Sequence, residues 1–179
     1  MDDLTRAAVR ARDGDRDALG DLVRRSQADV WRLCAHLVGR AGADDVVQEA
    51  YERAIRSLPR FRAEASARTW LLVIARRTCA DEIRRLQRRR RLDGRLRQGR
   101  LDEAVPDAGT AVELDEGMAA LAWERREAFV LTQVLGLSYA EAAEVADVPV
   151  GTIRSRVSRA RSDLLDHLGE PRGRTGTEP

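Results

Sequence analysis

The chain has 179 residues, enough for one domain or two small ones. Its 43% hydrophobic, 35% charged and 4% aromatic residues favour helices with narrow apolar stripes over strands, which draw on aromatic and β-branched residues. The formal net charge of +2 excludes a uniformly basic or acidic chain, and without a long apolar run or signal core we expect a cytoplasmic protein with no direct membrane insertion.

Two helices are predicted first along the chain. Apolar residues recur at helical spacing over residues 15–38, and Gly39 ends that helix. We place the start of the next helix at Asp44 and Asp45, because carboxylates favour the positive end of a helix. Pro59 ends this second helix.

A third helix follows a short irregular loop at residues 59–66. Ser66 is placed to cap this helix, which carries an apolar stripe as far as Leu86. The helix then enters RRLQRRRR, residues 84–91, where no apolar face remains. Trp70 lies at helical spacing within the stripe, which favours a core position over stacking on a base.

The pattern lapses over residues 92–111, where glycines, a proline and scattered charges predict a flexible linker. Helical spacing resumes from Leu114 onward. The predicted fold is therefore all-α, with two small helical domains joined by a flexible linker. The boundaries are a first domain at 1–91, the linker at 92–111, a second domain at 112–168 and a disordered tail at 169–179.

The second domain is predicted to contain a helix-turn-helix. Ser138 and Glu141 form an S-x-x-E capping box, which starts a short helix that ends near Ala146. A tight turn follows at Asp147, and Pro149 suits the first turn of another helix. Two helices joined by such a turn make the motif.

The last helix combines an apolar side with a basic first half. The candidate DNA-contacting residues there are Thr152, Arg154, Ser155, Arg156, Ser158 and Arg159. In a helix-turn-helix this part of the second helix enters the major groove, where Arg contacts phosphates or guanine and Ser suits either. The alternative, a solvated face of Arg–acid pairs, fits less well because Asp163 and Asp166 lie beyond the basic turns.

Charge is segregated along the chain. Residues 58–100 hold 14 Arg and 4 acids, residues 101–147 hold 2 Arg and 11 acids, and residues 148–179 hold 6 Arg and 4 acids. Two basic segments separated by an acidic one indicate two contacts with a polyanion.

Three stretches resemble a known family. LSYAEAAEVADVPVGTIRSRVSRARSDL (137–164) is similar to the −35-binding region of extracytoplasmic-function (ECF) sigma factors of the sigma-70 family. DDVVQEAYERAIRSLPRF (44–61) resembles that family's helix for core polymerase, and SARTWLLVIARRTCADEIRR (66–85) its −10-binding helix. The motifs keep the family's order and spacing over most of residues 15–168, with the linker and the tail unmatched, and the chain is most similar to the small actinobacterial branch.

The resemblance implies an alternative sigma factor that binds bacterial core RNA polymerase and directs promoter-specific initiation, without catalytic chemistry, cofactor or metal. In the family the second helix docks on the clamp helices of the β′ subunit, and the second domain meets the β flap. Carried over, the residues for core polymerase are Asp45, Gln48, Glu49, Glu52 and Arg53. The alternative is an ordinary solvated helix face.

By the same resemblance, the third helix and its preceding loop bind melted −10 DNA, with one base flipped into a pocket. Arg and aromatic groups suit this task through phosphate attraction and stacking. The candidates are Phe61, Arg62, Ser66, Arg68, Arg76, Arg77, Arg84 and Arg85. Relatives often carry Asn where this chain has Arg77, which leaves the base preference open. For the basic run at residues 84–91, two interpretations remain open. The run either contacts DNA phosphates or is a helix end that serves solubility.

Two other functions remain as alternatives. A dimeric helix-turn-helix regulator with an N-terminal sensor domain would leave the 44–61 motif unexplained. A nucleic-acid enzyme lacks support, because the sequence has no Gly-rich phosphate loop and no metal-ligand spacing. Cys34 and Cys79 stand apart, so we expect two buried thiols and neither a disulfide nor a zinc site. Because relatives are often held inactive by an anti-sigma factor, such a partner is a further expectation.

Overall fold

The computed structural model describes residues 1–94 and 116–169 of the chain, and within those ranges all regular structure is helical. The predicted linker beyond Gly94 and the predicted tail beyond Gly169 lie outside the described residues. The all-α prediction with a helix-turn-helix is confirmed. The helices are α1 Asp3–Arg12, α2 Arg16–Val38, α3 Arg40–Ser57, a 3₁₀ turn Leu58–Arg60, α4 Ala67–Gly94, α5 at 116–120, α6 Trp123–Phe129, a π-helical turn Val130–Val134, α7 Tyr139–Ala146 and α8 Val150–Gly169.

Helix α1 was not predicted from the sequence. Asp2 caps it, and its carboxylate accepts from the Thr5 backbone N–H at 2.9 Å. The buried Thr5 hydroxyl also accepts from the Ala67 N–H at 2.9 Å, which ties α1 to the start of α4. At the other end of the helix, Arg12 donates to the Phe61 carbonyl at 3.0 Å. Helix α1 therefore fixes both ends of the loop before α4.

Helix α3 begins four residues earlier than the sequence suggested. Gly39 alone joins α2 to α3, with a positive φ of 91° that favours glycine, and α3 starts at Arg40. The prediction that Asp44 and Asp45 begin this helix is wrong, because both lie inside it. Asp44 instead accepts a hydrogen bond from Trp31 Nε1 at 2.9 Å, which joins α3 to α2.

Helices α1 to α4 form the N-terminal bundle, whose core lies between α2, α3 and α4. Leu33 and Leu72 are fully buried there. Cys34 and Cys79 face each other across α2 and α4 with their sulfurs 3.6 Å apart, and both are buried, as predicted. Ser66 caps α4 as expected, with its Oγ accepting from the Thr69 N–H at 3.0 Å.

Helices α5 to α8 form the C-terminal bundle, and its helix-turn-helix has the predicted capping box and turn. In the capping box, Glu141 N–H donates to Ser138 Oγ at 3.2 Å and Ser138 N–H donates to Glu141 Oε2 at 2.8 Å. Asp147 takes the left-handed conformation that turns the chain, with φ of 56°. Ile153 and Val157 bury the apolar side of α8.

The two bundles pack against each other. Helix α4 contacts α7, and α2 contacts both α6 and the π-helical turn. Arg68 crosses the boundary and donates to the Leu135 carbonyl at 2.6 Å. The −10 candidate helix therefore lies against the first helix of the helix-turn-helix motif. None of the described helices combines the length and apolar character that a membrane crossing needs.

We predict that Leu72→Ala lowers the free energy of unfolding by about 2–5 kcal/mol, because Leu72 is fully buried in the N-terminal bundle. The control is Leu165→Ala on α8, a leucine that is 70% exposed and should change stability by about 0.5 kcal/mol or less. Urea unfolding followed by circular dichroism measures both. Equal effects would contradict the assigned core.

Candidate nucleic-acid interface

The basic first half of α8 presents an open surface. Arg154, Ser155, Ser158 and Arg159 are exposed, and Thr152 is half-buried. Within residues 1–94 and 116–169, neither Arg154 nor Arg159 forms an ion pair, so the helix face is not a set of Arg–acid pairs. Thr152 lies in the first turn of α8, whose N-terminus itself favours anions, and Arg154 lies in the second turn. This surface can bind phosphates or base edges.

Arg156 differs from its neighbours on α8. Its side chain turns inward and is 23% exposed, and its NH1 lies 3.9 Å from Glu127 Oε2. It is therefore the one predicted −35 residue that the described structure places against a carboxylate.

The loop before α4 and the start of that helix form a shallow groove. Its walls are Arg60, Phe61, Arg62, Ala63, Glu64, Ala65 and Trp70. The Phe61 and Trp70 rings pack with centroids 4.9 Å apart, with Phe61 5% exposed and Trp70 half-buried. Ala63 holds a positive φ of 57°, which bends the loop around the groove. Trp70 both packs on the core, as predicted, and lines the groove.

Four of the predicted −10 arginines point to solvent. The Arg62 side chain is largely exposed, and Arg77 is exposed one position after Arg76 on α4. Arg84 pairs with Asp81 at 2.5 Å and Arg85 pairs with Glu82 at 2.7 Å. Both arginines of these pairs are exposed, so their guanidinium groups remain available to a polyanion.

The other two arginines are engaged between the bundles. Arg68 Nε donates to Asp29 Oδ2 at 2.7 Å while its NH2 reaches the Leu135 carbonyl. Arg76 Nε donates to Glu127 Oε1. The structure thus divides the −10 candidates into a solvent-facing group and an interface group.

Glu127 was not singled out from the sequence. It is 0% exposed, and its Oε2 has no hydrogen-bond partner among the described residues. Burial raises its pKa, an effect only partly offset by Arg76 and then by Arg156, while Glu124 raises it further. The sequence signal that could have identified Glu127 is its position one helical turn before Leu131, because this places an acid inside an apolar stripe.

The predicted polymerase-binding residues share α3. Asp45, Gln48, Glu49 and Glu52 are exposed. Arg53 is partly exposed and bridges Glu49 and Asp81, with its NH1 2.6 Å from Asp81 Oδ2. Arg53 and then Arg84 lower the Asp81 pKa, so this carboxylate stays ionised. The face is polar and held in place by ion pairs, which suits a docking surface of mixed charge.

No group of three or more His, Cys, Asp or Glu side chains that could hold a metal ion occurs in the described ranges. The site therefore consists of basic and polar surfaces on α3, α4 and α8, together with the groove before α4. Such surfaces can bind partners of complementary charge.

Two models of the sigma-70 family match the chain in order. The Sigma-70 region 2 model matches residues 22–89, which include α3 and most of α4. The Sigma-70, region 4 model matches residues 111–164, which include the helix-turn-helix. Together they cover more than half of the chain.

Relatives match over nearly the whole chain. The ECF RNA polymerase sigma factor SigC of Mycobacterium tuberculosis is 46% identical over 176 residues, covering 97% of this chain and 95% of that protein. The ECF RNA polymerase sigma-E factor of Escherichia coli is 32% identical over 188 residues, covering 90% and 92%. Among solved structures, the sigma factor RpoE of Bartonella quintana, in complex with the anti-sigma factor NepR, has a TM-score of 0.73 at 25% identity, covering 88% of this chain and 100% of that one.

We predict that the difference in free energy of unfolding between the natural chain and Glu127→Gln depends on pH. Burial raises the Glu127 pKa above its ordinary 4.5, so the folded chain holds this proton more tightly than the unfolded chain. Relative to the glutamine variant, the natural chain should lose stability as pH rises from 4.5 through the raised pKa, by at most about 1.4 kcal/mol per pH unit.

Urea unfolding of both proteins at a series of pH values measures this difference. Above the raised pKa the difference should become constant. A difference that instead grows in favour of the natural chain as pH rises would contradict the assignment.

Proposed function

Because the chain belongs to the ECF group of the sigma-70 family, we propose that its two bundles divide promoter recognition between them. The chain is a sigma factor for RNA polymerase and not an enzyme, and its regions 2 and 4 imply recognition of the −10 and −35 promoter elements. In the proposal, region 2 is residues 1–91 and region 4 is residues 112–168, with the linker at 92–111 and the tail at 169–179, although helix α4 itself continues to Gly94 and α8 to Gly169. The observation that carries it is the exposed basic face of α8 inside the region 4 match, where Arg154 and Arg159 form no ion pair with any described residue.

Region 4 reads the −35 duplex through α8. Arg154 and Arg159 are exposed next to Ser155 and Ser158, and the capped helix α7 supports them from behind. A helix-turn-helix lays this part of its second helix in the major groove. There a bidentate Arg–guanine contact discriminates against a wrong base by about 1–3 kcal/mol. Thr152 and Arg156 complete the proposed set.

Region 2 binds the melted −10 element along α4 and the loop before it. Flipping a base costs a few kcal/mol, and stacking on an aromatic ring returns about 1–3 kcal/mol. Trp70 and Phe61 line the groove that this loop forms with the start of α4. The proposed contacts with the strand are Arg62, Ser66, Arg68, Arg76, Arg77, Arg84 and Arg85.

Core polymerase binds the polar face of α3. Asp45, Gln48, Glu49 and Glu52 offer acceptors, and Arg53 a fixed cation, for the clamp helices of the β′ subunit, while region 4 meets the β flap. Each promoter contact is weak alone. Polymerase makes them bivalent by holding the two regions at the separation of the promoter elements.

An anti-sigma factor is a further proposed partner, and the cytoplasm the proposed location, where polymerase works. Support comes from the fold, because the similar RpoE of Bartonella quintana was solved in complex with the anti-sigma factor NepR. Native purification of the chain from its host, followed by mass spectrometry, tests this partner. A stoichiometric protein that blocks polymerase binding supports it, and a chain that always purifies alone argues against it.

We predict that Glu52→Arg weakens binding to core polymerase by about tenfold or more, because it reverses an exposed charge on the proposed docking face. Asp166→Arg makes the same change of charge on the far half of α8 and should leave core affinity unchanged. Titration of labelled chain with core polymerase measures both. Equal affinities for the two variants would remove α3 from the interface.

We predict that Arg154→Ala and Arg159→Ala each reduce run-off transcription from the DNA upstream of the chain's own gene without weakening core binding. A lost base contact costs about 1–3 kcal/mol, and a lost phosphate contact lowers the log–log salt slope by about 0.9. Arg24→Ala, an exposed arginine on α2, is the control. A chain that binds DNA as a free dimer and never binds core polymerase would overturn the proposal.

A further inference from the structure

A carboxylate of α4 lies between two arginines that have different proposed roles. Asp81 Oδ2 accepts from Arg53 NH1 of α3 at 2.6 Å, and Asp81 Oδ1 accepts from Arg84 NH2 of α4 at 2.5 Å. Arg53 is a proposed polymerase residue and Arg84 a proposed −10 residue. Asp81 itself belongs to neither proposed set. One acid therefore holds an arginine of each set, with a separate oxygen for each.

Arg53 has a second acidic partner on its own helix. Its NH2 pairs with Glu49 Oε1, one turn earlier on α3. The two acids hold the guanidinium from different helices, Glu49 along α3 and Asp81 across the groove between α3 and α4. Without Asp81 only the pair within α3 would remain, and such a pair between exposed side chains is weak. The orientation of Arg53 over the groove thus depends on a residue of α4.

The Asp81 carboxylate is itself held in place. Its two oxygens bind different arginines, and Arg53 and then Arg84 lower its pKa, so it stays ionised. The side chain is 46% exposed, and exposed ion pairs of this kind add little to the free energy of unfolding. Their effect on binding is larger, because an arginine already held in its bound conformation loses less conformational entropy when a partner docks.

We propose that Asp81 is a positioning residue for the binding of core polymerase, because it fixes the Arg53 guanidinium in the orientation that polymerase meets without touching polymerase itself. This role rests on the proposed function, since that function places Arg53 in the docking face of α3. It goes beyond that function by making the docking face depend on α4. Polymerase binding therefore depends on the same helix that carries proposed −10 residues.

The expected effect follows from side-chain entropy. Ordering one long side chain during association weakens binding by about two- to tenfold. Asp81→Asn keeps the shape of the side chain and removes its charge, so it should release Arg53 and weaken binding to core polymerase by about that factor.

The matched control is Asp21→Asn on α2. The Asp21 side chain is 44% exposed, close to the value for Asp81, and it also pairs with an arginine three residues later, Arg24. Asp21 lies outside the proposed contact surfaces, so its loss removes a similar ion pair without affecting Arg53. Core affinity should stay unchanged in this variant. Circular dichroism checks that both variants keep their helices.

The first test is a double-mutant cycle, measured by titrating the labelled full chain with core polymerase in the absence of DNA. It compares the natural chain, Asp81→Asn, Arg53→Ala and the double variant. Because Asp81 acts through Arg53, Asp81→Asn should weaken binding in the natural chain and change nothing in the Arg53→Ala background. Equal weakening in both backgrounds would mean that Asp81 acts by another route and would overturn the positioning role.

The second test measures the positioning in the free chain, without polymerase. Nuclear magnetic relaxation of the arginine Nε–H groups reports how mobile each guanidinium is on the ps–ns timescale. Asp81→Asn should lower the order parameter of the Arg53 Nε–H group, and Asp21→Asn should leave it unchanged. Equal order parameters in the natural chain and Asp81→Asn would overturn the positioning role, whatever the binding result.

The two tests distinguish failure of the inference from failure of the proposed function. If Arg53→Ala weakens core binding but Asp81→Asn does not, the docking face stands and the positioning role of Asp81 is overturned. If Arg53→Ala binds core polymerase as tightly as the natural chain, Arg53 is removed from the docking face. The inference then falls together with that part of the proposed function, even where the order parameter of Arg53 changes as expected.

Discussion

The packing of α4 against the C-terminal bundle determines which arginines of the chain are exposed to solvent. Arg76 and Glu127 sit at its centre, and Arg68 closes its edge on the Leu135 carbonyl. Charged groups are seldom buried without partners, so this ion pair is one constraint on the positions of both bundles, beside the packing of α4 on α7. The solvent-facing arginines of α4 and α8 are what this contact leaves exposed.

Much of the fold followed from the sequence. The capping box at Ser138, the cap at Ser66 and the left-handed turn at Asp147 are local, and local chemistry determined them. The start of α3 did not follow, because Gly39 joins two helices without a loop and the carboxylate of Asp44 bonds to Trp31 of α2. No sequence pattern within one helix predicts such a contact between two helices.

The residue types of the candidate site were predictable from the sequence. Which of its arginines face solvent and which lie between the bundles was not. Spacing and resemblance selected the arginines of α4 and α8 as one basic set. The structure separates Arg76 from Arg77, adjacent in sequence, because helical geometry turns one toward Glu127 and the other to solvent. Helix α1 was missed as well, since its role depends on the distant contacts of Thr5 and Arg12 with the loop before α4.

The contact between α4 and α6 lies within one chain, and this has a consequence for dosage in the cell. An intramolecular contact has the same strength whether a cell holds few copies of the protein or many, whereas capture by polymerase follows mass action. Synthesis of more chain alone would therefore not change the fraction of chains in which Arg76 and Glu127 are paired. Binding to polymerase does depend on copy number, so competition among sigma factors for unoccupied polymerase would govern the output of this one.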